Sequence, residues 1–218
     1  NTLEKARPYV GVYLQRGIDR GLSAATLSTQ RAAICKLYGI SADDLRITLP
    51  ERRRADITRS RNHVARDRGF SEQKNTDIVA FAKATGLRRH ELAAVRPENI
   101  RVRADGSVCL DGIIGKGGKT RSIDVLPGHE SAVLRYLEAP EGRHIFERVP
   151  SHMDVHGYRR EYANEMYRAT LERLGPCGEV YKCRLDKRGK VYDKRAMLYV
   201  SRQLGHNRIS VIAGHYLS

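Results

Sequence analysis

Apolar residues recur with a helical period at the start of this chain, change to short alternating runs near its middle, and return to helical spacing in the last third. Over residues 3–15, Val10, Val12, Tyr13 and Leu14 predict a helix, with Pro8 near its first turns. Ser23 is a natural N-cap for a second helix, along which Leu27, Ile34 and Leu37 recur before Gly39. A short helix follows Ser41. These elements predict a small bundle with little core of its own. From Pro50 to about Arg68 the chain is polar and basic without a period, the pattern of a linker between domains.

The second region is richer. Ser71 caps a predicted helix running to about Thr85, with Ile78, Val79, Phe81 and Ala82 inward and Gly86 as its stop. A helix over about 89–95 ends near Pro97. Four short strands are then predicted, at 100–103, 107–110, 113–116 and 121–125. The pairs Asp105-Gly106, Asp111-Gly112 and Gly117-Gly118 are the hairpin turns between them, which gives a small antiparallel sheet. A helix at about 129–137 and a long one at about 153–174 follow, the latter with Val155, Tyr158, Tyr162, Met166 and Leu171 as its buried stripe. Residues 179–184 and 190–192 form a hairpin around Asp186-Lys187-Arg188-Gly189. A helix over 194–204 ends at Gly205, and 208–216 makes one more short helix. The fold class is mainly α (α+β): a small helical domain with its basic linker over 1–62, then a mostly helical domain with a small antiparallel sheet over 63–218.

Charge narrows the partners. Lys and Arg number 40 against 25 Asp and Glu, a net charge of +15 and a pI near 10.0. Such an excess points to a polyanion: DNA, RNA or an anionic membrane. Membrane is disfavoured, because there is no apolar run of spanning length and no apolar signal segment at the start. The absence of Met at position 1 reads as a fragment of something longer. The four cysteines read as reduced thiols of a cytoplasmic protein. Cys177 and Cys183 lack a second ligand pair at zinc spacing, and Gly115-Lys116-Gly117-Gly118-Lys119 lacks the spacing of a P-loop, so neither a metal nor a nucleotide cofactor is expected.

Six residues make a coherent chemical set: Arg88, Lys116, His156, Arg159, His206 and Tyr216. Arg88 follows a helix end, with Glu91 three residues on to brace a guanidinium able to grip a phosphate. Lys116 stands beside a hairpin turn, where an ammonium can protonate a leaving oxygen. His156 and Arg159, spaced i and i+3, are expected to share one helix face. His206 follows a helix-ending glycine. Tyr216, near the end, is a phenol, a weak nucleophile until neighbouring groups take its proton or stabilise its anion. Any one of these alone is an ordinary surface or core residue; Tyr192-x-x-Arg195 copies the His-x-x-Arg spacing but lacks the histidine.

Taken in order, Thr85-Gly86-Leu87-Arg88-x-x-Glu91-Leu92, the Gly115-Lys116-Gly117-x-Lys119-x-Arg121 hairpin, His156-x-x-Arg159, Leu204-Gly205-His206 and a following Tyr216 resemble the motifs of the tyrosine recombinases, the phage-integrase family. The resemblance covers nearly the whole chain. It implies a core-binding domain at about 1–62 and a catalytic domain at 63–218. It implies that Arg88, Lys116, His156, Arg159 and His206 surround a DNA phosphate, that Tyr216 forms a 3′-phosphotyrosine, and that no metal or ATP is used. Active family members are homotetramers on two double-stranded DNA sites; the fragment alone is compatible with a monomer. Two departures stand out. The stretch from Arg159 to His206 is about twice as long as in simpler members, with the excess at 176–193, and His206 to Tyr216 is one residue longer than usual.

The implied activity is that of an integrase of a mobile genetic element. Arg52, Arg53, Arg54, Lys119, Arg121, Arg160, Lys182, Arg184, Lys187 and Arg188 are the expected DNA contacts, with Arg59 and Arg61 adding to them. Two alternatives stay open on sequence alone: a type IB topoisomerase that relaxes DNA by the same chemistry, and a DNA-binding protein that never cleaves.

Overall fold

In the computed structural model, residues 2–53, 69–184, 187–206 and 208–217 are described. Arg54, Arg59, Arg61 and the rest of the expected linker beyond residue 53 lie outside them. The chain divides into two compact units, Asn1–Asn62 and His63–Ser218. Among the described residues, no helix is long and apolar enough to cross a membrane.

In the first unit, the helix expected over 3–15 is broken. Leu3–Ala6 (α1) gives way to a 3-10 turn at Arg7–Tyr9, and Val10–Asp19 (α2) follows. Pro8 explains the break, since it brings no N–H to the ladder. Val10, Leu14 and Gly17 face inward, whereas Val12 and Tyr13 are exposed. Ala24–Tyr38 (α3) is capped by the Ser23 hydroxyl, which accepts from the Thr26 N–H at 3.1 Å, and ends on Gly39 in the left-handed region. Leu27 packs against Gly17, where a Cβ would come within 2.8 Å of its methyl. Leu37 stands exposed, and Asp43–Leu45 is a 3-10 turn.

The second unit carries the larger core. A 3-10 turn at Gln73–Asn75, braced by Ser71, leads into Thr76–Thr85 (α4), so the helix begins later than Ser71 suggested. Arg89–Ala94 (α5) follows. Ile100–Val102 (β1), Val108–Ile114 (β2) and Thr120–Asp124 (β3) form an antiparallel sheet in that order. The sheet has three strands where four were expected. Asp111-Gly112 is a bulge inside β2: Leu110 pairs with Ile123 and Ile113 with Arg121, leaving one extra residue on β2. Gly112 (φ 73°) permits the kink, and the Asn99 amide donates to the Asp111 carbonyl at 2.8 Å.

The predicted helix at 129–137 reduces to Ser131–Leu134 (α6), because the amides of Tyr136 and Leu137 bond three residues back. Tyr136 is set edge to face against Phe81 at 5.8 Å and Phe146 at 5.6 Å, and those two rings meet each other at 5.2 Å. Val155–Leu174 (α7) is capped by Asp154. A Cβ on Gly157 would come within 2.5 Å of the Asp154 carboxylate, so the glycine of His156-Gly157-Tyr158-Arg159 is what lets the cap close. Val180–Lys182 (β4) and Val191–Asp193 (β5) pair as the expected hairpin. Lys194–Gln203 (α8) and Ile209–His215 (α9) complete the unit.

Phe81, Leu87, Leu92, Leu110, Ile123, Tyr162, Met197 and Leu204 are fully buried. Each contributes roughly 1.5–3 kcal/mol by leaving water. The architecture is mostly helical with a small antiparallel sheet.

Candidate active site

The site grows from three chain reversals. At Gly86 (φ 58°) the chain leaves α4, and a Cβ there would lie 2.5 Å from the Tyr162 ring. Only glycine lets the backbone pass so close to α7, and Arg88 emerges two residues later as the N-cap of α5. At Gly205 (φ 63°) the chain leaves α8 through a Schellman turn: the His206 N–H donates to the Ser201 carbonyl at 2.8 Å, and the Gly205 N–H to Arg202 at 2.9 Å. The Ser201 hydroxyl donates to the His206 carbonyl at 2.9 Å and fixes that residue further. At the end of α9 the Tyr216 N–H closes on Ile212 at 3.0 Å.

These reversals bring Arg88, Arg159, His206 and Tyr216 together. The Tyr216 hydroxyl accepts from Arg159 Nε at 3.2 Å and lies 3.2 Å from His206 Nε2. Arg159 Nη1 and Nη2 donate to the carbonyls of Gly86 and Leu204. Arg88 Nη2 donates to the same Leu204 carbonyl at 2.9 Å, so one backbone oxygen holds both guanidinium groups. Arg159 is 1% exposed, beneath a Tyr216 ring centred 5.7 Å away, whereas the Arg88 side chain keeps 21% of its surface open.

The hydrogen-bond roles follow from donor counting. Arginine only donates, so the Tyr216 oxygen accepts from Arg159 and its own proton is available to His206. That requires a neutral imidazole. Burial, followed by the charges of Arg159, Arg88 and Arg121, holds the His206 pKa down at about 4, against an ordinary value of 6.5. Near neutral pH its Nε2 is therefore able to accept.

A stability consequence follows. Above pH 6.5 His206 is neutral in both folded and unfolded chains and adds no pH dependence. Between 6.5 and about 4 the unfolded chain takes the proton first, so stability falls as the pH drops through that window. The thermal midpoint of the protein should fall between pH 6.5 and 4, and the fall should be shallower in His206→Gln. Equal slopes in the two proteins would assign the effect elsewhere.

Glu91, with its side chain 0% exposed, is the anion beneath the site. Its Oε1 accepts from Arg88 Nη1 at 2.9 Å and Arg121 Nη1 at 2.8 Å; its Oε2 accepts from the Arg88 N–H at 2.7 Å and Arg121 Nη2 at 2.9 Å. Burial alone would raise the carboxyl. The Arg121 hydrogen bonds, the Arg88 N–H and the charges of Arg121 and Arg159 outweigh it and hold the pKa at about 2.

Arg121 was expected at a DNA surface; instead its side chain is 11% exposed and grips Glu91. Its strand alternation carried the signal, since Arg121 lies two positions before the fully buried Ile123. A Cβ on Gly115 would meet the Arg121 guanidinium at 2.8 Å, and one on Gly205 would meet it at 3.2 Å. The glycines of the lysine hairpin and of Leu204-Gly205-His206 thus pack on one arginine.

Lys116 and His156 lie at the surface. Lys116 is exposed at the β2–β3 turn, next to Gly115. His156 is exposed in the first turn of α7. Arg159 belongs to the buried stripe Val155, Tyr158, Arg159, Tyr162, Ala163, Met166, and His156, three residues before it, lies at the open edge of the same side of the helix. This stripe follows i, i+3, i+4, i+7 spacing.

Of the expected DNA contacts, Arg52, Arg53, Lys119, Lys182, Arg184 and Arg188 are exposed, and Arg160 is half-buried. Lys187 is directed inward: its ammonium donates to the carbonyls of Ala213, at 2.7 Å, and Leu217. Sequence reasoning also missed Asn164, whose amide donates to the Tyr216 carbonyl at 2.8 Å from α7.

No family model matches the sequence, and no curated protein matches it. Among solved structures, the fold is similar to that of the Tn1549 transposon integrase in complex with circular intermediate DNA. The TM-score is 0.50 at 11% identity, over 100% of this chain and 83% of that one. A variant of that integrase with another circular intermediate DNA gives 0.47 at 11% identity, over 96% and 80%. At this identity the likeness is one of fold: the chain has an integrase-like α+β fold.

Proposed function

We propose that this chain is a site-specific DNA recombinase that cleaves and rejoins strands through a 3′-phosphotyrosine. The observation that carries the proposal is the Tyr216 hydroxyl held between the Arg159 Nε donor and the His206 Nε2 acceptor, 3.2 Å from each, in one chain. A core aromatic has no need of a buried cation on one side and a neutral base on the other. An attacking phenol needs both. The net charge of +15 and a fold shared with an integrase held on DNA support a DNA substrate.

In this reading, Arg88, the more open of the two arginines, receives the scissile phosphate. His206 takes the Tyr216 proton as the phenolic oxygen bonds to phosphorus. The P–O5′ bond breaks, and Lys116, on its exposed hairpin, protonates the departing 5′ oxygen. As Tyr216 leaves Arg159 for the phosphorus, the freed Nε–H turns to a non-bridging oxygen, where negative charge accumulates. His156 adds a donor from the rim. Residues 1–62 act as a core-binding domain, 63–218 as the catalytic domain, and exchange takes place in a homotetramer on two DNA sites. The nucleophile attacks from within its own subunit, since its partners are in the same chain.

The test uses duplexes selected by the protein from a randomised pool and then nicked next to the cleavage position. The wild-type chain should accumulate a denaturant-resistant protein–DNA adduct. Tight binding with no adduct on any selected site would leave a DNA-binding protein that does not cleave. On paired sites, strand exchange supports recombinase; relaxation of supercoils alone supports a topoisomerase.

A further inference from the structure

The hairpin of β4 and β5, the segment that makes the chain longer than simpler relatives of its motifs, ends against the helix that carries Tyr216. Its base is firmly held. The Asp193 carboxylate caps α8 through the Ala196 N–H at 2.8 Å and accepts from the Cys177 N–H at 2.7 Å. The Asp193 N–H donates to the Tyr167 hydroxyl at 2.8 Å, and the Tyr167 and Tyr192 rings meet edge to face at 5.8 Å. From this anchored base the turn projects Lys187 onto the carbonyls of Ala213 and Leu217.

Those two carbonyls straddle the nucleophile, three residues before it and one after. Helix α9 is only seven residues long, far below the length at which a helix is stable alone. The Ala213 carbonyl belongs to the last helical turn, whose oxygens lack partners within the helix and carry its negative dipole end, and the Leu217 carbonyl lies just past that end; one ammonium serves both. Ile212, Ala213 and Leu217 bury the helix's inner side, and Asn164 holds the Tyr216 carbonyl from α7. Lys187 is the cationic member of this set, and it comes from a different element.

We propose that Lys187 is a positioning residue: it clamps the backbone on both sides of Tyr216, so that the hairpin sets where the nucleophile sits. The exposed Lys182, Arg184, Arg188 and Lys190 around it are then the surface through which a polyanion bearing on the hairpin is felt at Tyr216. The catalytic part of this inference rests on the function proposed above; the structural part does not.

Lys187→Met keeps the length and apolar stem of the side chain and removes the ammonium; Lys187→Arg keeps a cation. In the full chain without DNA, amide exchange at residues 214–217 should speed up about tenfold in Lys187→Met, with exchange in α4 and α7 unchanged. On saturating nicked duplex, single-turnover adduct formation should slow by about 10- to 100-fold with DNA affinity held, and Lys187→Arg should recover most of the rate. Unchanged exchange in Lys187→Met would overturn the clamp whether or not the chain cleaves DNA. Weaker binding with a shallower salt slope and an unchanged saturated rate would overturn it too, by making Lys187 a phosphate contact. If the wild-type chain forms no adduct, the recombinase reading fails, and the exchange measurement still decides the clamp.

Discussion

Tyr216→Phe should abolish the covalent protein–DNA adduct while leaving duplex binding within about twofold of wild type. Removing one oxygen removes the only atom of this side chain that can bond to phosphorus. The expected loss is on the order of 10⁴-fold or more, as when the nucleophile of a concerted catalytic set is deleted. The fold should survive. The ring keeps its place over Arg159, and the lost hydrogen bond from the buried, charged Arg159 Nε costs about 1.5–3 kcal/mol. Arg159 retains the Gly86 and Leu204 carbonyls. His206→Ala gives a contrasting result: the hydroxyl remains but its acceptor is gone, so adduct formation should slow by about 10²–10⁴-fold without vanishing. The measurement is the rate of denaturant-resistant adduct on a saturating nicked duplex. Comparable rates for Tyr216→Phe and wild type would remove Tyr216 from the chemistry altogether.

The residues that meet at this site were legible because the motifs mark chain reversals as well as functional groups. Gly86 and Gly205 are readable as helix stops, and each stop delivers Arg88 or His206 where α7 runs past. What the sequence hides is depth. Arg159 is a charged residue in the packed stripe of α7, and charge biases any reading toward the surface. Its burial is tolerated because two backbone carbonyls and a phenol receive its donors. The Leu204 carbonyl is hidden for another reason: which main-chain oxygen a helix end presents depends on the geometry after it, here Gly205 in the left-handed region. Lys187 reads as an outward DNA contact of the hairpin, because nothing local marks the carbonyls of Ala213 and Leu217 that it meets. Asp111-Gly112 has the composition of a hairpin turn, and the continued pairing of β2 with β3 makes it a bulge.

Glu91→Ala should destabilise the second unit by about 3–5 kcal/mol, the range for breaking a buried ion pair from one side. Four hydrogen bonds end on this carboxylate, and its loss leaves Arg121 buried and Arg88 without its brace. Against a total stability of roughly 5–15 kcal/mol, this is enough to lower the thermal midpoint severely. Glu91→Gln should fall between the two: its carbonyl oxygen replaces one carboxylate oxygen, but its NH₂ group confronts a donor of Arg121. A double-mutant cycle separates the pair from its parts. Arg121→Met added to Glu91→Ala removes the stranded guanidinium and should recover a large share of the loss, so the two changes together cost less than their sum. Strict additivity by chemical denaturation would mean that the pair is not coupled. The acid limb adds a second signature. Glu91 titrates at about 2 in the folded chain against 4.5 ordinarily, so its contribution is complete above pH 4.5 and is lost as the pH falls toward 2. Glu91→Ala should flatten stability in that lower window and leave the His206 window between pH 6.5 and 4 in place. The two groups are thereby distinguished by the pH at which each releases the fold.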